Sequence, residues 1–179
     1  MKDFRVALLV TLALLPVAVL AWTPGSRADD DDSRGGLRGS WVIVATPGPA
    51  FLFGGPQIAP PAPPFTELAS YAVGGTLTET NTILNANSAR LVPGLPFNAS
   101  DGHGQWEREG SKFVAKFRKL VFDTSGDYVA NADVSENIAI SEPDSKKFSG
   151  QFTIQFSFLN GNTPVCSSGS LAAERIHAD

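Results

Sequence analysis

Residues 112–159 read KFVAKFRKLVFDTSGDYVANADVSENIAISEPDSKKFSGQFTIQFSFL, and their texture decides the fold. Lys112 to Phe122 is rich in β-branched and aromatic residues and predicts a long strand. Asp123-Thr124-Ser125-Gly126 is a turn. From Asp127 to Ile140 the chain alternates, with Tyr128, Ala130, Ala132 and Val134 set against Asp127, Asn131, Asp133 and Ser135. After a turn through Pro143, Phe148 to Leu159 predicts another strand. In it Phe152, Ile154, Phe156 and Phe158 share one parity and therefore one face.

Working outward, the same texture recurs. Trp41 to Thr46 opens the β-rich region, and Phe65 to Val73 and Thr76 to Leu84 flank Gly74-Gly75, a hairpin signal. Gly104 to Arg108 predicts a short strand, and Cys166 to Ile176 the last one. Two segments interrupt this rhythm. Residues 47–64 carry seven prolines and are expected to form a loop, as no regular strand is expected at that density. Phe51, Leu52, Phe53 and Ile58 make that loop apolar, which suits either a lid or a packed surface loop over one barrel end. Asn85 to Gly102, with Leu91, Val92, Leu95 and Phe97, is its expected partner. No stretch after the leader keeps a helical period. About eight strands joined mostly by short turns predict an all-β, antiparallel up-and-down barrel, with a β-sandwich as the alternative.

The N-terminus is expected to be removed. Lys2 and Arg5 precede an apolar run from Val6 to Ala21, shorter than the roughly 20 residues of a membrane-spanning helix. Ser26-Arg27-Ala28 places small residues where a signal peptidase reads, so residues 1–28 predict a signal peptide cut after Ala28. The implied location is periplasmic or extracellular, with no membrane span after cleavage. Residues 29–38, with the run Asp29 to Asp32, predict a flexible acidic tail, since four like charges repel. Residues 39–179 then form one barrel domain. The 179-residue chain carries a net charge of −4, and the leader's three cations against one carboxylate leave −6 after cleavage. That balance argues against a nucleic-acid partner. Cys166 is the only cysteine, so no internal disulfide forms.

Gly39-Ser40-Trp41 at the first strand and Arg175 in the last resemble the lipocalin-like, or calycin, barrels. There a Gly-x-Trp meets an arginine from the end of the barrel. The resemblance implies that the Trp41 indole plugs one end and that the Arg175 guanidinium stacks on it. Two features depart from that pattern: the Thr-Asp-Tyr-type motif is absent, and the chain ends soon after Arg175. The run Gly102-His103-Gly104-Gln105-Trp106 resembles one found in exported bacterial proteins and implies no activity.

His103 is the candidate general acid–base group. In an extended chain Asp101, His103, Gln105 and Glu107 share a face, so a carboxylate at Asp101 or Glu107 can orient the imidazole. The plainer reading is an exposed histidine at a strand entry. Lys112, Lys116, Arg118 and Lys119 are read as a solvated outer face opposite a core face of Phe113, Phe117 and Phe122. No metal site is expected, because only His177 joins His103 and tetrahedral sites need several ligands. No cofactor motif occurs. Three functions remain open. The first is a barrel holding a small apolar molecule among Phe51, Phe53, Leu95, Phe97 and Trp106. The second is a barrel cyclase or isomerase using His103. The third is a structural or interaction module without a pocket.

Overall fold

Alternation inside against outside, repeated along every long strand, builds a closed antiparallel barrel of eight strands. The computed structural model describes residues 36–81, 98–140 and 146–176, all within the unit Asp31–Asp179. The expected leader, its cut site and Asp29 to Asp32 lie outside the described residues. The elements are β1 (Gly39–Leu52), β2 (Gln57–Ala59), β3 (Phe65–Tyr71), β4 (Thr76–Asn81) and β5 (Asn98–Ala99). They continue with β6 (Gly102–Glu109), β7 (Lys112–Phe122), β8 (Tyr128–Ala139), β9 (Lys147–Phe158) and β10 (Val165–Arg175). The ring runs β1-β3-β4-β6-β7-β8-β9-β10 and closes where β10 pairs β1, from Trp41 opposite Arg175 to Leu52 opposite Val165. That last pairing rules out the open sandwich, and closure leaves the ring without free edges. β2 extends β1 at one end, and β5 pairs β7. Among the described residues no helix is long and apolar enough to cross a membrane.

Two expectations are corrected. β1 does not stop at Pro47 but continues through Pro47, Gly48 and Pro49 to Leu52. A bulge between Pro47 and Ala50 shifts its register against β10, and prolines, which lack an N–H, are tolerated at such bulges. The last residues assigned to the expected tail, Gly36 to Arg38, also pack against the barrel. Leu37 is fully buried, because Gly36 to Arg38 are stitched to the barrel end by Trp41 and Arg175.

One end of the interior is built on Trp41. Its ring lies 4.8 Å from that of Phe148, and its Nε1 donates to the Leu37 carbonyl at 2.8 Å. The Arg175 guanidinium stands 4.4 Å from the indole centroid and donates to the carbonyls of Arg38 and Gly36. Gly39 is required here twice over. Its φ is +113°, and a Cβ would come within 2.8 Å of Arg175 Nη1. The other end is packed by Ala50, Ala59, Val121, Ala130, Phe156 and Val165, with Leu52, Ile58 and Phe158 against them.

Candidate functional site

Between the two apolar ends, strand parity turns four charged side chains inward. On β3, Glu67 shares its face with Ala69 and Tyr71. On β4, Glu79 shares its face with Leu77. On β7, Lys119 follows Phe113, Ala115 and Phe117 at period two, and on β8 Glu136 follows Ala132 and Val134. All four are buried. The basic strand is therefore split. Lys116 and Arg118 face solvent, where Arg118 pairs with Asp133 at 2.6 Å, while Lys119 points into the barrel. This corrects its expected place on the outer face, and Phe122, expected inside with Phe113 and Phe117, has the opposite parity.

The polar layer is partly paired. Lys119 Nζ donates to Glu79 Oε2 at 2.5 Å. The Tyr71 hydroxyl donates to Glu136 Oε2 at 3.0 Å. The Asn81 side chain works against the rise in pKa of both Glu67 and Glu79. Among the described residues two oxygens remain without a partner, Glu67 Oε2 and Glu79 Oε1. An orphaned buried acceptor carries its full desolvation penalty, about 1–3 kcal/mol.

Glycines make room for this layer. A Cβ on Gly102 would come within 2.6 Å of the Phe117 ring and 2.8 Å of Glu79 Oε2. One on Gly104 would come within 2.0 Å of the Lys116 carbonyl oxygen. The Gly-His-Gly run thus lets β6 approach the ring of Phe117 and the Glu79–Lys119 pair.

Burial governs the protonation of these groups. It pushes the Glu67 carboxyl well above the usual range, with Glu79 and Glu136 adding to the rise. Burial raises Glu136 to about 7, although the Tyr71 hydrogen bond opposes it. Burial also raises Glu79, and Lys119 pulls it part of the way back. The Tyr71 hydroxyl is pushed further up, so it stays a donor.

The consequence for stability has a definite sign. Folded Glu136 retains a proton that the unfolded chain gives up above about pH 4.5. Its contribution is therefore full below that value and lost as pH rises through about 7. A shift of that size corresponds to roughly 3 kcal/mol, and Glu67 acts in the same direction. We expect urea unfolding to show a less stable protein at about pH 8 than at about pH 5. Glu136→Gln should flatten that slope and raise stability at the alkaline end. An unchanged slope in the variant would show that Glu136 does not set it.

Beside this layer lies a cavity of about 60 Å³, counted as the space open to the centres of water-sized spheres. Glu67, Asn81, Lys119 and Glu136 form its polar side. Phe117, Val134, Ile154 and Phe156 are among its apolar walls. Among the described residues no three metal-ligating side chains converge.

The residues expected to form the site lie elsewhere. His103 is exposed on the outer face, opposite Arg118 on β7 and Thr78 on β4. Asp101 and Glu107 are exposed as well. Phe51 and Phe53 are 40% and 63% exposed and do not line the cavity. Phe51 pairs with Cys166 and faces outward, so Ala50 and Leu52 are the ones that pack inward. Trp106 packs on Phe113 and Tyr71 and donates to the Ala72 carbonyl, away from the cavity lining. Leu95 and Phe97 lie outside the described residues. Glu67, Glu79, Lys119 and Glu136 were missed, although their parity with apolar neighbours was readable. No protein-family model matches the chain, and no curated protein matches it in sequence.

Proposed function

We propose that the protein is an exported, lipocalin-like barrel that binds a small, mainly apolar molecule in its interior. The observation that carries the reading is the cavity itself, apolar on most sides and bordered on one by Glu67, Asn81, Lys119 and Glu136. Few polar groups converging in an apolar enclosure is the usual composition of a small-molecule site. The Gly39, Trp41 and Arg175 arrangement supports the kinship with calycin barrels. The occupant is slim, because the space is only about 60 Å³. It is a short-chain molecule or the end of a longer one.

Titration calorimetry with 1-propanol tests this. Saturable heat is expected from the parent protein. Ala132→Leu, which adds bulk to the cavity wall, should abolish that heat while the circular dichroism spectrum stays that of a sheet. Binding unaffected by Ala132→Leu would move the site out of the barrel. Absence of binding by any short-chain compound would favour a structural or interaction module.

A further inference from the structure

Among the described residues, acidic side chains outnumber basic ones inside the barrel. Glu67, Glu79 and Glu136 face one interior cation, Lys119, and that cation is bonded to Glu79 at 2.5 Å. Asp101 adds a further negative influence on Glu79. The inward positions of β9 and β10 that line the cavity, Phe152, Ile154, Phe156 and Leu171, carry no titratable group, and neither do the buried positions of β1. Glu67 is 7% exposed, lines the cavity, and holds its Oε2 there without a hydrogen-bond partner. Glu136 borders the same cavity and takes one hydrogen bond, from Tyr71.

We propose that the interior site takes a protonated short-chain aliphatic amine, its ammonium held by Glu67 and Glu136 and its tail among Phe117, Val134 and Ile154. This rests on the reading of the barrel interior as a binding site and names its ligand class. An ammonium brings three N–H donors and no acceptor, which suits a side of the cavity whose free capacity is carboxyl oxygen. A carboxylate ligand is disfavoured. It would meet three acidic groups, and the one cation is already taken by Glu79. A neutral alcohol can bond to one carboxyl group but brings no charge that favours ionisation of either Glu67 or Glu136. The small volume suits a short chain such as that of propylamine.

The same chemistry sets the pH dependence. Aliphatic ammonium groups stay charged up to about pH 10. Glu67 and Glu136 hold protons in the empty site because burial raises both. Binding the cation makes ionisation of these two favourable, so protons leave as the amine enters. Affinity should therefore rise with pH from about 6 to about 8.

The experiment is calorimetry on the full protein with propylamine, 1-propanol and propionate, at about pH 6 and about pH 8. Propylamine is expected to bind at least about tenfold tighter than 1-propanol at the higher pH, and about tenfold more weakly at the lower. Its heat should vary with the ionisation enthalpy of the buffer, which reports proton release. Glu67→Gln should weaken propylamine about tenfold or more and weaken 1-propanol far less, since the amide still offers a polar partner to a hydroxyl. That second readout separates loss of the carboxylate from loss of the fold. Equal affinities for amine and alcohol, tighter binding of propionate, or a Glu67→Gln protein that keeps its propylamine affinity would each overturn the amine assignment and leave the interior site standing. Binding of none of the three compounds would overturn the interior site and the assignment with it.

Discussion

Replacing Lys119 by methionine is expected to lower the unfolding free energy by about 3–5 kcal/mol. Lys119 and Glu79 are 5% and 1% exposed, and their 2.5 Å contact is the only charge pairing of the interior among the described residues. Methionine has a similar length, so little packing is lost. What is lost is the partner of a buried carboxylate, one of whose oxygens is already orphaned. Breaking one side of such a pair costs more than deleting both sides. The double variant Lys119→Met with Glu79→Gln should therefore recover much of the loss. The deficit of the single variant should shrink in acid, because a protonated Glu79 needs no counter-ion. Urea unfolding followed by circular dichroism measures all three proteins. A loss under about 1 kcal/mol in Lys119→Met would mean that the pair is not what holds Glu79 inside.

Trp41→Ala should cost about 3–5 kcal/mol, as for other buried aromatic side chains. The indole is fully buried and touches three separate parts of the end structure. Phe148 packs on its ring, the Leu37 carbonyl accepts from its Nε1, and Arg175 stacks on its face. Truncation leaves a cavity that the closed ring cannot collapse. It also frees Leu37 and removes the surface that orients Arg175. Trp41→Phe should retain the packing and lose the hydrogen bond and part of the cation–π attraction, and so cost markedly less. Denaturation midpoints distinguish the two variants. Equal losses would assign the effect to the Nε1 bond rather than to volume.

Much of the barrel is legible from local pattern. Lys112 to Phe122 is a strand with those same ends, and β8, β9 and β10 begin and end within a residue of expectation. Gly74 and Gly75 both adopt positive φ, as their hairpin requires. These features are local, since turn chemistry and period-two alternation act over a few residues. The path of β1 was not legible in the same way. Proline density argues against a strand, and only the partner strand β10, with its register shift opposite Pro47, makes the continuation stable.

For the site, sequence alone determined that the protein would be all-β, that its strands would alternate, and that Trp41 and Arg175 would sit on the first and last of them. Only the tertiary structure decided how the inward charges are partnered. Hydropathy treats Lys119 like its neighbours Lys116 and Arg118, and only its parity with Phe113 and Phe117 sets it apart. Closure of the ring places the face of Phe113 and Phe117 inside, and period two then carries Lys119 in with them, opposite Glu79 on β4. A charge at an inward position is tolerated when a strand distant in sequence supplies its partner. Glu79 stands 40 residues away along the chain, so no local pattern could announce the pairing.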